Sequence, residues 1–112
     1  MKKAYRIKKE KEFQKIIENK QSFANRNFIV YVYESPENTH FRVGLSVGKK
    51  VGNAVMRNRV KRLMRTSLYE MKEMVQPNYN IVLIARPQVI NLSLDEVKKN
   101  IQHVFKLANL MK

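Results

Sequence analysis

The sequence predicts an α+β domain in which three helices accompany a sheet of three strands. Three runs rich in β-branched and aromatic residues, Asn27 to Glu34, His40 to Val47 and Tyr79 to Ala85, have strand character. Around them, apolar residues recur at helical spacing over Lys9 to Asn19, Asn53 to Met71 and Ser93 to Ala108. The 112 residues allow one domain with a core of its own. No repeat, low-complexity tract or Pro/Gly linker divides them.

The first eight residues form a basic arm, expected to be mobile until bound. The first helix then carries Phe13, Ile16 and Ile17 on one side, either all as core or with one of them turned to a ligand. Between the first two strands, Ser35-Pro36-Glu37-Asn38 is turn chemistry, which predicts a hairpin-like antiparallel pair. Along the second strand Phe41, Val43, Leu45 and Val47 share one face, the core face. Arg42, Gly44, Ser46 and Gly48 share the other, which is small and polar, as if it received a ligand instead of a packed helix. The first strand has both faces partly covered, and Tyr31 can serve as a buried tyrosine or as a platform for an unpaired base.

The second helix follows Gly52, with Asn53 as its N-cap. Met56, Val60, Leu63, Met64, Leu68 and Met71 fall on its packing side. Arg57, Asn58, Lys61, Arg62 and Arg65 fall on the neighbouring side, with Arg59 further round. After the break at Pro77-Asn78 the third strand is apolar nearly throughout, which places it centrally in the sheet, and Arg86-Pro87 ends it. Ser93 opens the last helix with Glu96 three residues on, a capping-box pattern, and Val97, Ile101, Val104, Phe105 and Ala108 form its core stripe.

Charge is where the chain departs from an ordinary domain. Twenty-three Lys and Arg against nine Asp and Glu leave a formal net charge of +14, a statement about partners and not about fold. A solvated helix face mixes signs and gains from Glu–Lys pairs four residues apart. From Asn38 to Tyr69 there is no acid, so Arg57, Lys61 and Arg65 stack like charges on one another. That pattern calls for negative charge from outside the chain, and polyphosphate is the simplest source.

Other chemistry is excluded by what is missing. There is no cysteine, hence no disulfide or thiolate metal site, which fits a reducing cytoplasm. No run has transmembrane length and no apolar signal core follows the basic start. The acids are scattered, Asp95-Glu96 suits the first turn of a helix, and His40 and His103 lack partners at ligand spacing. Walker A, Rossmann and nucleophile-elbow motifs are absent, so no catalytic residue and no metal site is assigned to the polypeptide.

The strings ANRNFIVY, FRVGLSVGKKVGNAVMRNRVKRLMR and YNIVLIAR resemble the protein subunit of bacterial ribonuclease P, from about Tyr5 to the last helix. Arg57-Asn58-Arg59 within KK-x-GNAV-x-RNR-x-KR is the most specific part. Gly48 departs from the family, which commonly has Ser before the Lys-Lys pair. The resemblance implies an α/β sandwich of α-β-β-β-α-β-α order with a left-handed β-α-β crossover, helices packed on one mixed sheet. The extra strand is then short or near residues 47 to 51.

It further implies a single RNA-binding domain, residues 1–112, acting as a subunit of a ribonucleoprotein endonuclease. The catalytic RNA uses Mg to remove the 5′ leader of precursor tRNA. By position Lys49, Lys50, Asn53, Arg57, Asn58, Arg59, Lys61, Arg62 and Arg65 face the catalytic RNA. Phe13, Ile17, Tyr31 and Ser46 line a leader cleft, with Arg42 at its edge. The implied partners are the catalytic RNA, one protein per RNA, and precursor tRNA, with no DNA and no membrane. A general or ribosome-associated RNA chaperone would use the same basic patch.

Overall fold

The structure, a computed structural model, describes residues 3–112. In chain order the elements are α1 (Glu10–Glu18), β1 (Ser22–Ala24), β2 (Phe28–Glu34), β3 (Arg42–Val47), α2 (Ala54–Met71), β4 (Tyr79–Ala85) and α3 (Leu94–Leu107). Short 3₁₀ turns cover Lys3–Tyr5, Lys49–Val51, Lys72–Met74 and Pro87–Asn91. The strands form one mixed sheet in the order β1-β2-β4-β3.

The strand predicted to be central is central. β4 pairs antiparallel with β2, from Phe28 opposite Ala85 to Glu34 opposite Tyr79, and parallel with β3, from Arg42 beside Asn80 to Val47 beside Ala85. Its two-sided burial explains its apolar run. Ile81, Leu83 and Ala85 belong to the larger core, with α2 and α3, while Val82 joins Ile7 and Ile16 in a smaller cluster beneath α1.

The predicted hairpin does not form. β2 and β3 lie on opposite sides of β4. Two inter-strand spacings, about 10 Å, separate them, and the segment from Ser35 to Phe41 is long enough to cross that distance. Its turn residues are used to bridge the start of β4. Ser35 N donates to Asn78 O at 2.8 Å, and Asn38 Nδ2 donates to Asn80 Oδ1 at 2.8 Å. Of the two alternatives for the fourth strand the short one holds: the extra strand is the three-residue Ser22–Ala24 at the β2 edge, while residues 49–51 make a 3₁₀ turn. Asn27, His40 and Phe41 fall just outside their strands.

The face of β3 expected to lack a helix is partly covered. α1 packs across it, with Phe13 lying on Gly44, where an added Cβ would come 2.3 Å from the ring Cζ. The other assignments of that strand hold, with Phe41, Val43 and Val47 buried in the larger core. In α3 the whole stripe Val97, Ile101, Val104, Phe105 and Ala108 is buried. Both capping-box bonds are present there: Glu96 N donates to Ser93 Oγ at 3.2 Å and Ser93 N donates to Glu96 Oε1 at 3.1 Å.

The described part of the arm lies along the free edge of β3. Arg6 bridges Val43 in parallel, and Ile7 N donates to Val43 O at 3.0 Å. Tyr5 stacks on His40 with ring centroids 4.1 Å apart. Residues 1–2 of the predicted arm lie outside the described residues.

Candidate nucleic-acid interface

The start of α2 is fixed by its cap: Asn53 has extended backbone, and its side-chain oxygen accepts from Met56 N at 3.0 Å. That bond fixes the helix start, and the Asn53 side chain is otherwise exposed. Gly52, at φ +157°, leads into the cap. Val60, Met64, Leu68 and Met71 are buried, Leu63 is half-buried, and Met56, counted on the packing side, is 37% exposed at the helix start.

The polar flank follows from that rotation. Asn58, Arg59 and Arg62 are exposed, as are Lys49 and Lys50 in the preceding turn. Arg57, Lys61 and Arg65 are half-buried, their stems lying on the domain. Among the described residues the carboxylate ion pairs are Glu12–Arg42, Glu70–Lys98 and Asp95–Lys99, none of which involves this flank. Arg59 Nη1 donates to Ile90 O at 3.3 Å. Arg57 Nε is buried with no hydrogen-bond partner. The first turn of α2 holds no acid, so the Arg57 cation lies near the positive end of the helix dipole, which further destabilises it in the free protein.

The second surface is the sheet face beneath α1. The register aligns three rows across it: Tyr33–Asn80–Arg42, then Tyr31–Val82–Gly44, then Ile29–Ile84–Ser46. Ile16 anchors α1 from below and is buried, Phe13 is half-buried over Gly44, and Ile17 is 37% exposed at the rim. Tyr31 is half-buried and packs on the cluster of Ile16 and Val82, so its phenol is largely part of the floor.

Arg42 and Ser46 stand at opposite ends of the floor, about 13 Å apart along the strand. Arg42 is held by α1 through Nη1 to Glu12 Oε2 at 2.7 Å and Nη2 to Glu12 Oε1 at 3.4 Å. That hydrogen-bonded guanidinium keeps the Glu12 carboxyl below the usual glutamate range. Ser46 lines an open cavity of about 420 Å³, which no α1 residue lines, together with Ile29, Ile84, Lys49, Lys50 and Arg86.

Three of those residues, Ile29, Ile84 and Arg86, were not singled out from the sequence. Alternation along β2 placed Ile29 with Tyr31, but only the pairing of β2, β4 and β3 brings Ile29, Ile84 and Ser46 into one row. Arg86 is fixed by the turn before β2: its Nη1 donates to Asn25 O at 3.3 Å and its backbone N donates to Asn27 O at 2.9 Å. Asn25 Oδ1 in turn accepts from Asn27 N and Phe28 N, and Asn27 Nδ2 donates to Asn100 Oδ1 on α3. The string ANRNF therefore builds a polar joint that ties Arg86 to the turn before β2, at the border of the cavity.

The two histidines are apart, His40 on Tyr5 and His103 near Asn25. Among the described residues no three His, Asp or Glu side chains converge to hold a metal ion. No described helix is long and apolar enough to cross a membrane.

Comparison with known proteins gives one family. The Ribonuclease P family profile matches residues 1–109. The chain is 56% identical over 111 residues to the "Ribonuclease P protein component" of Enterococcus faecalis, covering 99% of this chain and 94% of that protein. It is 48% identical over 112 residues to the protein of the same name from Listeria monocytogenes, covering 100% and 94%. Among solved structures, the Staphylococcus aureus RNase P protein superimposes with a TM-score of 0.89 at 40% identity, over 98% of this chain and 100% of that one. The Thermotoga maritima RNase P protein shares the fold, with a TM-score of 0.82 at 24% identity over 91% and 96%. With the cationic ridge, the cleft and these full-length matches in hand, the chain belongs to the ribonuclease P protein family.

Proposed function

We propose that this protein, the tRNA-processing subunit of a ribonuclease P holoenzyme, binds the catalytic RNA along α2 and guides the 5′ leader of precursor tRNA over the sheet face beneath α1. Lys49, Lys50, Arg57, Asn58, Arg59, Lys61, Arg62 and Arg65 meet phosphates and RNA edges, with Asn53 holding the helix start in place. Arginine suits this task because its planar fork binds phosphate bidentately and stacks on bases. Phe13, Ile17, Tyr31 and Ser46 contact the leader, joined by Ile29, Ile84 and Arg86 at the open end. Arg42 contributes through its Glu12 pair by holding α1 over the cleft. The RNA supplies the hydrolytic chemistry and its Mg, with one protein per RNA.

One observation carries this reading: the ridge has no carboxylate partner among the described residues, although the chain has nine acids. A cleavage assay at low magnesium, with cognate RNA and precursor tRNA, tests it. Added protein is expected to enhance leader removal, and RNA-free protein to cleave nothing. Replacing Arg57, Lys61 and Arg65 together by Ala is expected to abolish assembly while leaving the circular dichroism spectrum intact. Assembly by that variant would reduce the flank to a solvated face. Indiscriminate annealing of unrelated RNAs would identify a chaperone instead.

A further inference from the structure

A second cavity, of about 190 Å³, opens at the free edge of β3 between the arm, α1 and α2. It shares no lining residue with the cavity over Ser46. It is lined by Phe13, Val43 and Leu45, by Arg6, Ile7 and Lys8 of the arm, and by Lys61 and Arg65 of α2. No carboxylate lines it. The volume is below the roughly 300–1,000 Å³ of sites that enclose a whole small molecule, so it suits one moiety of a larger ligand.

The backbone adds polarity of a specific kind. Val43 O accepts from Ile7 N, so the main-chain groups of Val43 point to the free edge. Two residues on, the N–H and C=O of Leu45 point the same way. The arm's pairing with β3 is confined to the Arg6–Val43 bridge, and no described strand continues along that edge. A donor and an acceptor side by side, flanked by an aromatic ring and an aliphatic wall, complement the edge and the faces of a nucleobase. Lys61 and Arg65 lie on the cationic ridge, which places a phosphate backbone at the mouth.

We infer that this edge cavity is a subsite for a single unpaired nucleotide of the catalytic RNA: the base enters at the free edge of β3 beside Leu45, and the phosphate rests on Lys61 and Arg65. This rests on the reading of α2 as the RNA-binding ridge, and adds to it a base-binding pocket that phosphate attraction alone would not require.

Leu45→Trp fills the cavity without removing a cation. It is expected to weaken binding of the full-length protein to its catalytic RNA by about 5- to 150-fold, the range for losing one stacked base. The slope of affinity against salt should stay unchanged, because no phosphate contact is lost. Wild-type affinity in a variant with native circular dichroism would overturn the inference. A flat salt response in the parent protein would instead overturn the ridge itself, which separates the two failures. Should Leu45→Trp not fold, amide spectra of the ¹⁵N-labelled parent protein decide. Adenosine monophosphate is expected to shift the Leu45 amide where equal inorganic phosphate does not. Equal shifts with both would reduce the cavity to an anion site. Shifts with an acidic peptide and none with the nucleotide would make it an edge for strand addition, and either result would overturn the proposal.

Discussion

Arg57 concentrates the tension between stability and binding in one side chain. A buried N–H without an acceptor costs about 1–3 kcal/mol, and Arg57 Nε is such a group in the free protein. Arg57→Met keeps an apolar stem and removes the orphan donor. Its unfolding free energy in urea is expected to rise by about 1 kcal/mol. Its RNA affinity should fall, with a salt slope smaller by about 1. Glu12 behaves oppositely. Arg42 lowers its folded pKa, so the ion pair stabilises the protein above the unfolded glutamate range and is lost as pH falls through the depressed folded value. Both side chains are nearly a third exposed, which keeps the contribution within about 1 kcal/mol. Glu12→Gln should therefore lower the melting temperature at pH 7 and make little difference near pH 3.

At the scale of elements, α1 is the least independent piece. It has nine residues, too few to be stable alone, and is held by buried Ile16, the Glu12–Arg42 fork and the seat of Phe13 on Gly44. Gly44→Ala puts a methyl where the Phe13 ring lies. The ring is the mobile part, so the helix should loosen while the sheet survives, at a cost of about 1–3 kcal/mol. Hydrogen exchange is expected to quicken across Glu10–Glu18 and not in α3. Combining Gly44→Ala with Phe13→Leu should recover part of the loss, and strict additivity would refute the contact. α2 is the contrasting case, because its packing stripe anchors it to the core. The flank can carry unpaired charge there without melting the helix.

For the molecule as a whole, the net charge of +14 is concentrated by the fold and not merely summed. Acids are placed elsewhere, on α1, the end of β2, the β2–β3 loop, the end of α2 and its following turn, and the start of α3. The ridge is left without local acids, and Lys49, Lys50 and Arg86 supply the charge around the cavity over Ser46. If about 6–10 phosphates are engaged, RNA affinity should drop by roughly 10³–10⁵ between about 50 and 200 mM salt. A filter-binding series measures this directly, and a nearly flat response would refute the electrostatic account.

Local chemistry made much of this legible in the sequence. Asn53 and Ser93 announced their helices because a cap is a contact among neighbours in the chain. The alternation along β3 announced its two faces because side chains in a strand have period two. Helical spacing separated Val60, Met64, Leu68 and Met71 from the charged flank, and the absence of nearby acids in the chain marked that flank as lacking local counter-ions. Which strands pair is a different matter. Ser35-Pro36-Glu37-Asn38 is as suitable for arching over β4 as for closing a hairpin, and only the need to bury both faces of β4 decides between them. That choice sets Ile29 beside Ile84 and Ser46, brings Arg86 to the cleft, and leaves β3 with a free edge. The sequence by itself determined the three helices, three of the four strands and the excess of positive charge, since these depend on neighbours along the chain. The tertiary structure alone decided which faces meet, because that depends on burying surfaces far apart in it.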